Sequence, residues 1–304
     1  SNSSSYFDHQ TNISIMARQK VVLVTGASSG IGFATAIEFA KKGYKVYAVA
    51  RRLEPMAPLK KHGIATVTCD VTLVEDVVKL RDLISLENDG YLDILYNNAG
   101  QPCTVSAIDA KDDVVAKCYE VNVFAPIRIT REFTALLIKA KGTVGFTGSV
   151  AGLIPVPFLS IYSSTKAALH LYAATLRVEF EPFGVTVLNF VTGSVRTSIR
   201  DDRELPEDSW FNVPGIEEPL GELRGMSERS KPVPAEQYAY KVVNDFEKEK
   251  LGGKLNLYRG GAASLVGHLM WWCPRFLAEK LFVKQLKFTK VFANIRKKYA
   301  TTDA

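Results

Sequence analysis

Short apolar runs recur through residue 200, each followed by a longer stretch with helical periodicity. Val21-Val-Leu-Val24 is brief, β-branched and apolar at every position, the pattern of a strand buried on both faces of a parallel sheet. Lys45-Val-Tyr-Ala-Val-Ala50, Leu92-Asp-Ile-Leu-Tyr96, the run opening at Thr143 and Val185-Thr-Val-Leu-Asn-Phe-Val191 repeat it, and Lys254-Leu-Asn-Leu-Tyr258 reads as the last strand. Strands alternating with helices predict an α/β fold with a doubly wound parallel sheet. No linker or internal repeat interrupts them, so residues 19–258 are expected to form one domain.

The pattern changes at both ends and once in between. Residues 1–18 are polar and Ser/Asn-rich with no hydrophobic signal core, which predicts a disordered extension. From Ile199 to Pro234 the sequence turns charged and proline-punctuated, yet Trp210, Phe211, Val213 and Ile216 give it something to pack. Residues 259–304 predict a C-terminal extension in two parts. Gly260 to Cys273 is uncharged but shorter than the ~20 residues a spanning helix needs, so it suits an interface. Arg275 to Tyr299 predicts one amphipathic helix, with Leu277, Leu281, Phe288, Phe292 and Ile295 on one face and Lys280, Lys284, Lys287 and Lys290 on another.

Charge sharpens this picture. The chain carries +6 over 304 residues, while the stretch from Arg259 onward holds nine Lys/Arg against Glu279 and Asp303, so the rest is near −1. A basic, aromatic, strongly apolar tail predicts a membrane or lipid-droplet surface as partner, through residues 260–298, with packing on its own domain or a homodimer as the other uses of that face. Nucleic acid is not expected, because the body lacks a basic stripe. Cysteines 69, 103, 118 and 273 have neither metal-ligand spacing nor a paired framework, which predicts reduced thiols, a cytosol-facing protein and no metal.

Two motifs carry chemistry. Thr25-Gly-Ala-Ser-Ser-Gly-Ile-Gly32 follows the first strand, and its glycines allow a sharp turn and a close backbone approach to a pyrophosphate at a helix N-terminus, as in Rossmann-type folds. Tyr162-Ser-Ser-Thr-Lys166 places Tyr162 and Lys166 on one helix face, where an ammonium and a cationic nicotinamide would lower the phenol pKa. Each motif alone has a plainer use: glycine also serves a bare strand-to-helix turn, and Tyr/Lys pairs decorate amphipathic helices.

With the residues between them, the motifs resemble the short-chain dehydrogenase/reductase family from about residue 19 to residue 200. Asn97-Asn-Ala-Gly100 follows the strand Leu92-Asp-Ile-Leu-Tyr96, Asn122 lies in Val121-Asn-Val123, and Ser149 stands thirteen residues before Tyr162. The resemblance implies that Tyr162 donates a proton to a substrate carbonyl as hydride arrives, that Lys166 holds the cofactor ribose, that Ser149 hydrogen-bonds the same oxygen, and that Asn122 positions a relay water. It implies cofactor contacts from Gly26, Ser28, Ser29, Gly30, Ile31, Gly32, Asp70 (adenine), Asn98, Ala99, Gly100, Tyr162, Lys166, Val195 and Thr197, and a substrate lid over about 199–234. One position departs from the family. Thr192-Gly193-Ser194-Val195-Arg196-Thr197 stands where Pro-Gly is usual, and losing the proline predicts a looser loop.

Ala50-Arg51-Arg52 ends the second strand, where an NAD-specific fold has an acid, so Arg51 predicts NADPH/NADP+. A reductase core with a membrane-associating tail implies a lipid ketone substrate, and Arg196, Arg200 and Arg203 at the root of the lid would suit an anionic head group. The expected location is the endoplasmic reticulum membrane and lipid droplets, catalytic domain facing the cytosol. A 17-ketosteroid or 3-ketosphinganine is the alternative substrate. A second class remains, since Gly26-Ala-Ser28-Ser-Gly30 also matches the Gly-x-Ser-x-Gly elbow of a lipid ester hydrolase, though His62, His170 and His268 are not obvious partners for Ser28.

Overall fold

The computed structural model describes residues 18–199, 201 and 203–300, without the side chain of Trp271. The expected N-terminal extension up to residue 17, and Arg200 of the arginine cluster, lie outside these residues. Seven strands form one all-parallel sheet: β1 Val21–Thr25, β2 Lys45–Ala50, β3 Ala65–Thr68, β4 Ile94–Asn97, β5 Thr143–Thr147, β6 Thr186–Thr192 and β9 Asn256–Arg259. Their order is β3-β2-β1-β4-β5-β6-β9. The order reverses between β1 and β4, and ligands of such sheets bind in the crevice at the carboxyl ends of the strands there.

Side chains of each strand alternate between two cores, as a sheet covered on both faces requires. Leu23, Val49, Leu95 and Phe146 pack on α2 Val74–Glu87, α4 Ala125–Ala140 and α5 Ser160–Phe180. Val24, Ala48, Tyr96 and Phe190 pack on α1 Gly30–Lys41 and α8 Ala235–Lys248. A short helix, α3 Asp112–Tyr119, passes into one π-helical turn, Glu120–Phe124, before α4.

The stretch expected to be a lid contains α6 Glu217–Arg224 and α7 Met226–Arg229, bounded by the short parallel pair β7 Val195–Arg196 and β8 Val233–Pro234. The loop expected to be loose is pinned. Gly193 N donates to Arg259 O at 2.8 Å, and Ser194 and Gly261 exchange backbone bonds of 3.0 and 2.8 Å. A Cβ on Gly193 would lie 2.1 Å from Gly261 O, so backbone contact replaces the proline restraint.

The tail also departs from expectation. It forms α9 Ala263–Trp272, α10 Arg275–Gln285 and α11 Phe288–Tyr299, none long and apolar enough to cross a membrane. The single amphipathic helix is broken at Lys287, whose φ is 60°. Leu286 and Phe288 are both buried, 1% and 0% exposed. On a continuous helix they would point about 200° apart, so burying both requires the break. Phe288, Val291, Phe292 and Ile295 join a third core with Val213, Ile216, Leu220 and Leu223 of the lid and Val156 and Phe158. Lys287 pairs with Glu218 and Glu222 of α6 at 2.9 Å each. Half of the face expected to meet lipid therefore packs on α6 and the loop before it, while Leu265, Leu269, Trp272, Phe276, Leu277 and Leu281 of α9 and α10 stay exposed.

Candidate active site

Both motifs meet at the reversal point. After β1 the backbone turns through Gly26 (φ 66°) and Gly30 (φ 55°), the left-handed region that favours glycine. A Cβ on Gly26 would stand 2.7 Å from Ala99 Cα, and one on Gly32 would stand 2.5 Å from both Gly26 O and Asn98 Nδ2. Asn98 is the clasp: its Nδ2 donates to Thr25 O at 2.9 Å, while Thr25 Oγ1 accepts from the N–H groups of Asn98 and Ala99 at 3.0 Å each. Among the described residues, Ser29 at the N-cap of α1 makes no side-chain capping bond and the first turn holds no acid. The amides of the Ser28, Ser29, Gly30 and Ile31 turn thus meet no internal anion, and the glycine cradle fits a pyrophosphate.

The other expected cofactor contacts frame this cradle. Arg51 and Arg52 are exposed where β2 ends. Thr197 lies against Gly30, whose Cβ would be 3.0 Å from Thr197 Cγ2, and Val195 is fixed in β7. Asp70 follows β3, and its Oδ1 accepts from Thr72 N at 3.0 Å and Thr72 Oγ1 at 2.7 Å. The carboxylate therefore shapes the loop at which the adenine contact is expected.

Asn122, Ser149, Tyr162 and Lys166 converge from three separate stretches of chain: the π-helical turn, the turn after β5 and α5. Lys166, 5% exposed, extends from α5 and donates to Thr147 O at 2.8 Å, its Nζ 5.7 Å from the Tyr162 ring. A Cβ on Gly100 would come within 3.4 Å of Asn122 Oδ1 and 3.7 Å of Lys166 Nζ, which places the Asn97–Gly100 stretch at the same spot. Ser149 caps the turn after β5, its Oγ accepting from Ala151 N at 3.1 Å. That leaves its hydroxyl hydrogen for a second partner, and the Tyr162 phenol is within its reach.

Burial pushes the Tyr162 phenol up, with the Ser149 bond opposing, and the Lys166 ammonium donates to Thr147 O. A raised value keeps the phenol protonated, which suits an acid. Burial also lowers Lys166 to about 8. The Asn122 side chain is already engaged: Oδ1 accepts from Gln101 N at 2.9 Å, and Nδ2 donates to Gln101 O at 3.0 Å and Thr165 Oγ1 at 3.1 Å. It ties the strand-end loop to α5 through the π-turn rather than turning to solvent, and such turns are frequent at functional sites.

Sequence reasoning missed Gln101 and Thr147, which act through backbone groups, and the parts played by the Thr165 hydroxyl and the His170 ring. The hydrolase elbow gains no partner. Among the described residues no hydrogen bond joins Ser28 to a histidine: His170 Nε2 accepts from Ser149 N at 3.2 Å, His268 Nδ1 meets Ser264 O at 2.6 Å, and His62 is exposed.

This geometry has relatives. A family model described as short chain dehydrogenase matches residues 20–208. The chain belongs to that family. It is therefore an oxidoreductase, and the first six strands of its sheet run in the 3-2-1-4-5-6 order of doubly wound dinucleotide-binding folds. A short-chain dehydrogenase from Streptomyces avermitilis has a crystal structure with TM-score 0.74 and 28% identity, covering 90% of this chain and 99% of its own. Among curated relatives, the NADPH-dependent 1-acyldihydroxyacetone phosphate reductase of Saccharomyces cerevisiae is 43% identical over 94% of this chain and 97% of its own length. The Schizosaccharomyces pombe protein of that name is 39% identical over 64% of this chain and 69% of its own. A short-chain dehydrogenase of Hypocrea virens is 36% identical over 92% and 98%.

Proposed function

We propose that this protein uses NADPH to reduce the keto group of a 1-acyldihydroxyacetone phosphate, giving 1-acylglycerol 3-phosphate for phospholipid and triacylglycerol synthesis. The observation that carries the reading is 43% identity to the Saccharomyces cerevisiae reductase along nearly the whole of both chains, together with the meeting of Ser149, Tyr162 and Lys166. Gly26, Gly30 and Gly32 would hold the cofactor pyrophosphate and Arg51 its 2′-phosphate, a contact that a guanidinium favours and a carboxylate would oppose.

The bound nicotinamide supplies hydride to the carbonyl carbon. Tyr162 gives its phenolic proton to the carbonyl oxygen, and Ser149 Oγ donates to that oxygen as charge develops on it. Lys166, charged below about pH 8, favours the phenolate left behind. Asn122 holds the loop of Gly100 and Gln101 in register with α5. Arg196 and Arg203 at the lid root offer the charge to hold the substrate phosphate, and Arg203 is already turned to Asp201 at 3.0 Å, so the phosphate would exchange with that carboxylate.

The lipid product also explains the exposed face of α9 and α10. Its apolar side chains flanked by Arg275, Lys280 and Lys284 suit an anionic monolayer and support a location on the cytosolic surface of the endoplasmic reticulum and lipid droplets. NADPH oxidation measured against 1-acyldihydroxyacetone phosphate, 3-ketosphinganine and a 17-ketosteroid tests the substrate. The acyl phosphate should give the highest kcat/KM by at least an order of magnitude; a sphingoid or steroid preference overturns the assignment.

A further inference from the structure

One half-buried titratable group faces the reaction centre without a part in the chemistry above. His170 stands on α5 one turn beyond Lys166, and its Nε2 lies 3.2 Å from the backbone N of Ser149. We propose that His170 is a positioning residue, whose unprotonated Nε2 accepts the Ser149 amide hydrogen and so fixes the serine hydroxyl against Tyr162. The proposal rests on the reductive role given to Ser149.

The bond has only one workable direction. A backbone N–H donates, so Nε2 must offer its lone pair and the ring proton sits on Nδ1. The surroundings hold the ring in that pose. A Cβ on Gly148 would come 2.6 Å from His170 Nε2, and one on Gly152 would come 3.0 Å from its Cε1. The turn from β5 to α5 thus closes over the imidazole at two glycines that leave room for nothing larger. Ser149 opens this turn, with Ala151 N held on its own Oγ, so its amide is the group that sets how far the hydroxyl projects.

Charge acts in the same sense. The charged group facing the ring is Lys166 on its own helix; Gly148, Ser149 and Gly152 of the turn and Asn189 of β6 bring none. Burial, with Lys166 adding to it, lowers the imidazole from 6.5 to about 4. A ring that stays neutral keeps the acceptor. Protonation would set two N–H groups against each other and place a second cation near Lys166. Because the folded value is depressed, the stabilisation is full above about 6.5 and is lost as pH falls toward about 4.

Four enzymes test this with a water-soluble short-chain ketone and saturating NADPH: His170→Leu, His170→Gln, Ser149→Ala and Ser149→Ala/His170→Leu. His170→Leu should lower kcat by roughly ten- to a hundredfold, less than or equal to Ser149→Ala, and shift the KM for NADPH by less than about twofold. His170→Gln, whose Oε1 can accept at a similar reach, should recover most of kcat. In the Ser149→Ala background the His170→Leu change should cost nothing further, since the group it positions is gone. Nitrogen-15 shifts of the wild-type imidazole at pH 6 should show a neutral ring protonated on Nδ1, a readout that survives if the leucine variant fails to fold. A protonated or Nε2–H ring, full kcat in His170→Leu, or additive losses in the double variant would overturn the positioning role while leaving Ser149 catalytic. A harmless Ser149→Ala would instead overturn the reading beneath it.

Discussion

Phe288→Ala isolates the union of lid and tail. The ring is fully buried, stacked on Phe158 with centroids 5.4 Å apart and planes 19° apart, and 5.4 Å from Phe292. Truncating a buried Phe costs about 3–5 kcal/mol, of which aromatic pairing accounts for roughly 0.5–1.5 kcal/mol. The third core is separate from the two cores that clamp the sheet, so the loss falls on α6 and α11 rather than on the cofactor site. At about 1.4 kcal/mol per decade, local opening should rise by roughly two to four orders of magnitude. Amide hydrogen exchange reads this directly. Amides of α6 and α11 should lose protection by that factor, while those of β1 and α1 keep theirs and NADPH affinity is unchanged. Equal loss across the sheet, or no loss in α6, would show that α11 does not hold the lid.

Three further outcomes bear on cofactor, chemistry and surface. Arg51→Ala should weaken NADPH by at least tenfold and NADH by less than twofold in a fluorescence titration, because NADH has no 2′-phosphate to lose; equal losses would move the determinant elsewhere. Ser28→Ala should cost cofactor affinity modestly, and any ester hydrolysis should survive it, whereas abolished hydrolysis with Tyr162→Phe unaffected would make Ser28 a nucleophile. Replacing Leu269, Trp272 and Phe276 with Ser should release the protein from phosphatidylserine-containing vesicles, and Lys280→Ala with Lys284→Ala should weaken binding by roughly an order of magnitude; unchanged binding refutes the lipid face, and a change in self-association instead would assign it to a dimer. Deleting the whole tail is a poorer test, since it would also strip the third core from the lid.

The parts legible in the sequence are those written in local pattern. Val21–Val24 and its counterparts carry the strand signature because the sheet is covered on both faces, and the glycine loop and Tyr162/Lys166 spacing announce themselves because a turn and a helix face fix their neighbours. The tail was half legible for a physical reason. An apolar stripe on Phe288, Phe292 and Ile295 says that something covers that face, and the same stripe serves a bilayer or a lid. The break at Lys287 left no mark, since lysine is an ordinary helix residue and adopts φ 60° here only because Leu286 and Phe288 both turn inward. Likewise the pinning of Gly193 depends on Gly261, and the setting of Ser149 on His170, partners that only the folded chain brings together. That Lys166 turns its ammonium to Thr147 O likewise cannot be read from a spacing of four.

The central claim is that Tyr162 is the proton donor in a ketone reduction driven by NADPH. Tyr162→Phe keeps the ring and removes only the hydroxyl. Measured side by side with the wild type, single-turnover NADPH oxidation with 1-acyldihydroxyacetone phosphate should fall at least a thousandfold in the variant, while the dissociation constant for NADPH stays within about twofold. Turnover retained above a few per cent, or cofactor binding lost together with activity, would contradict the account.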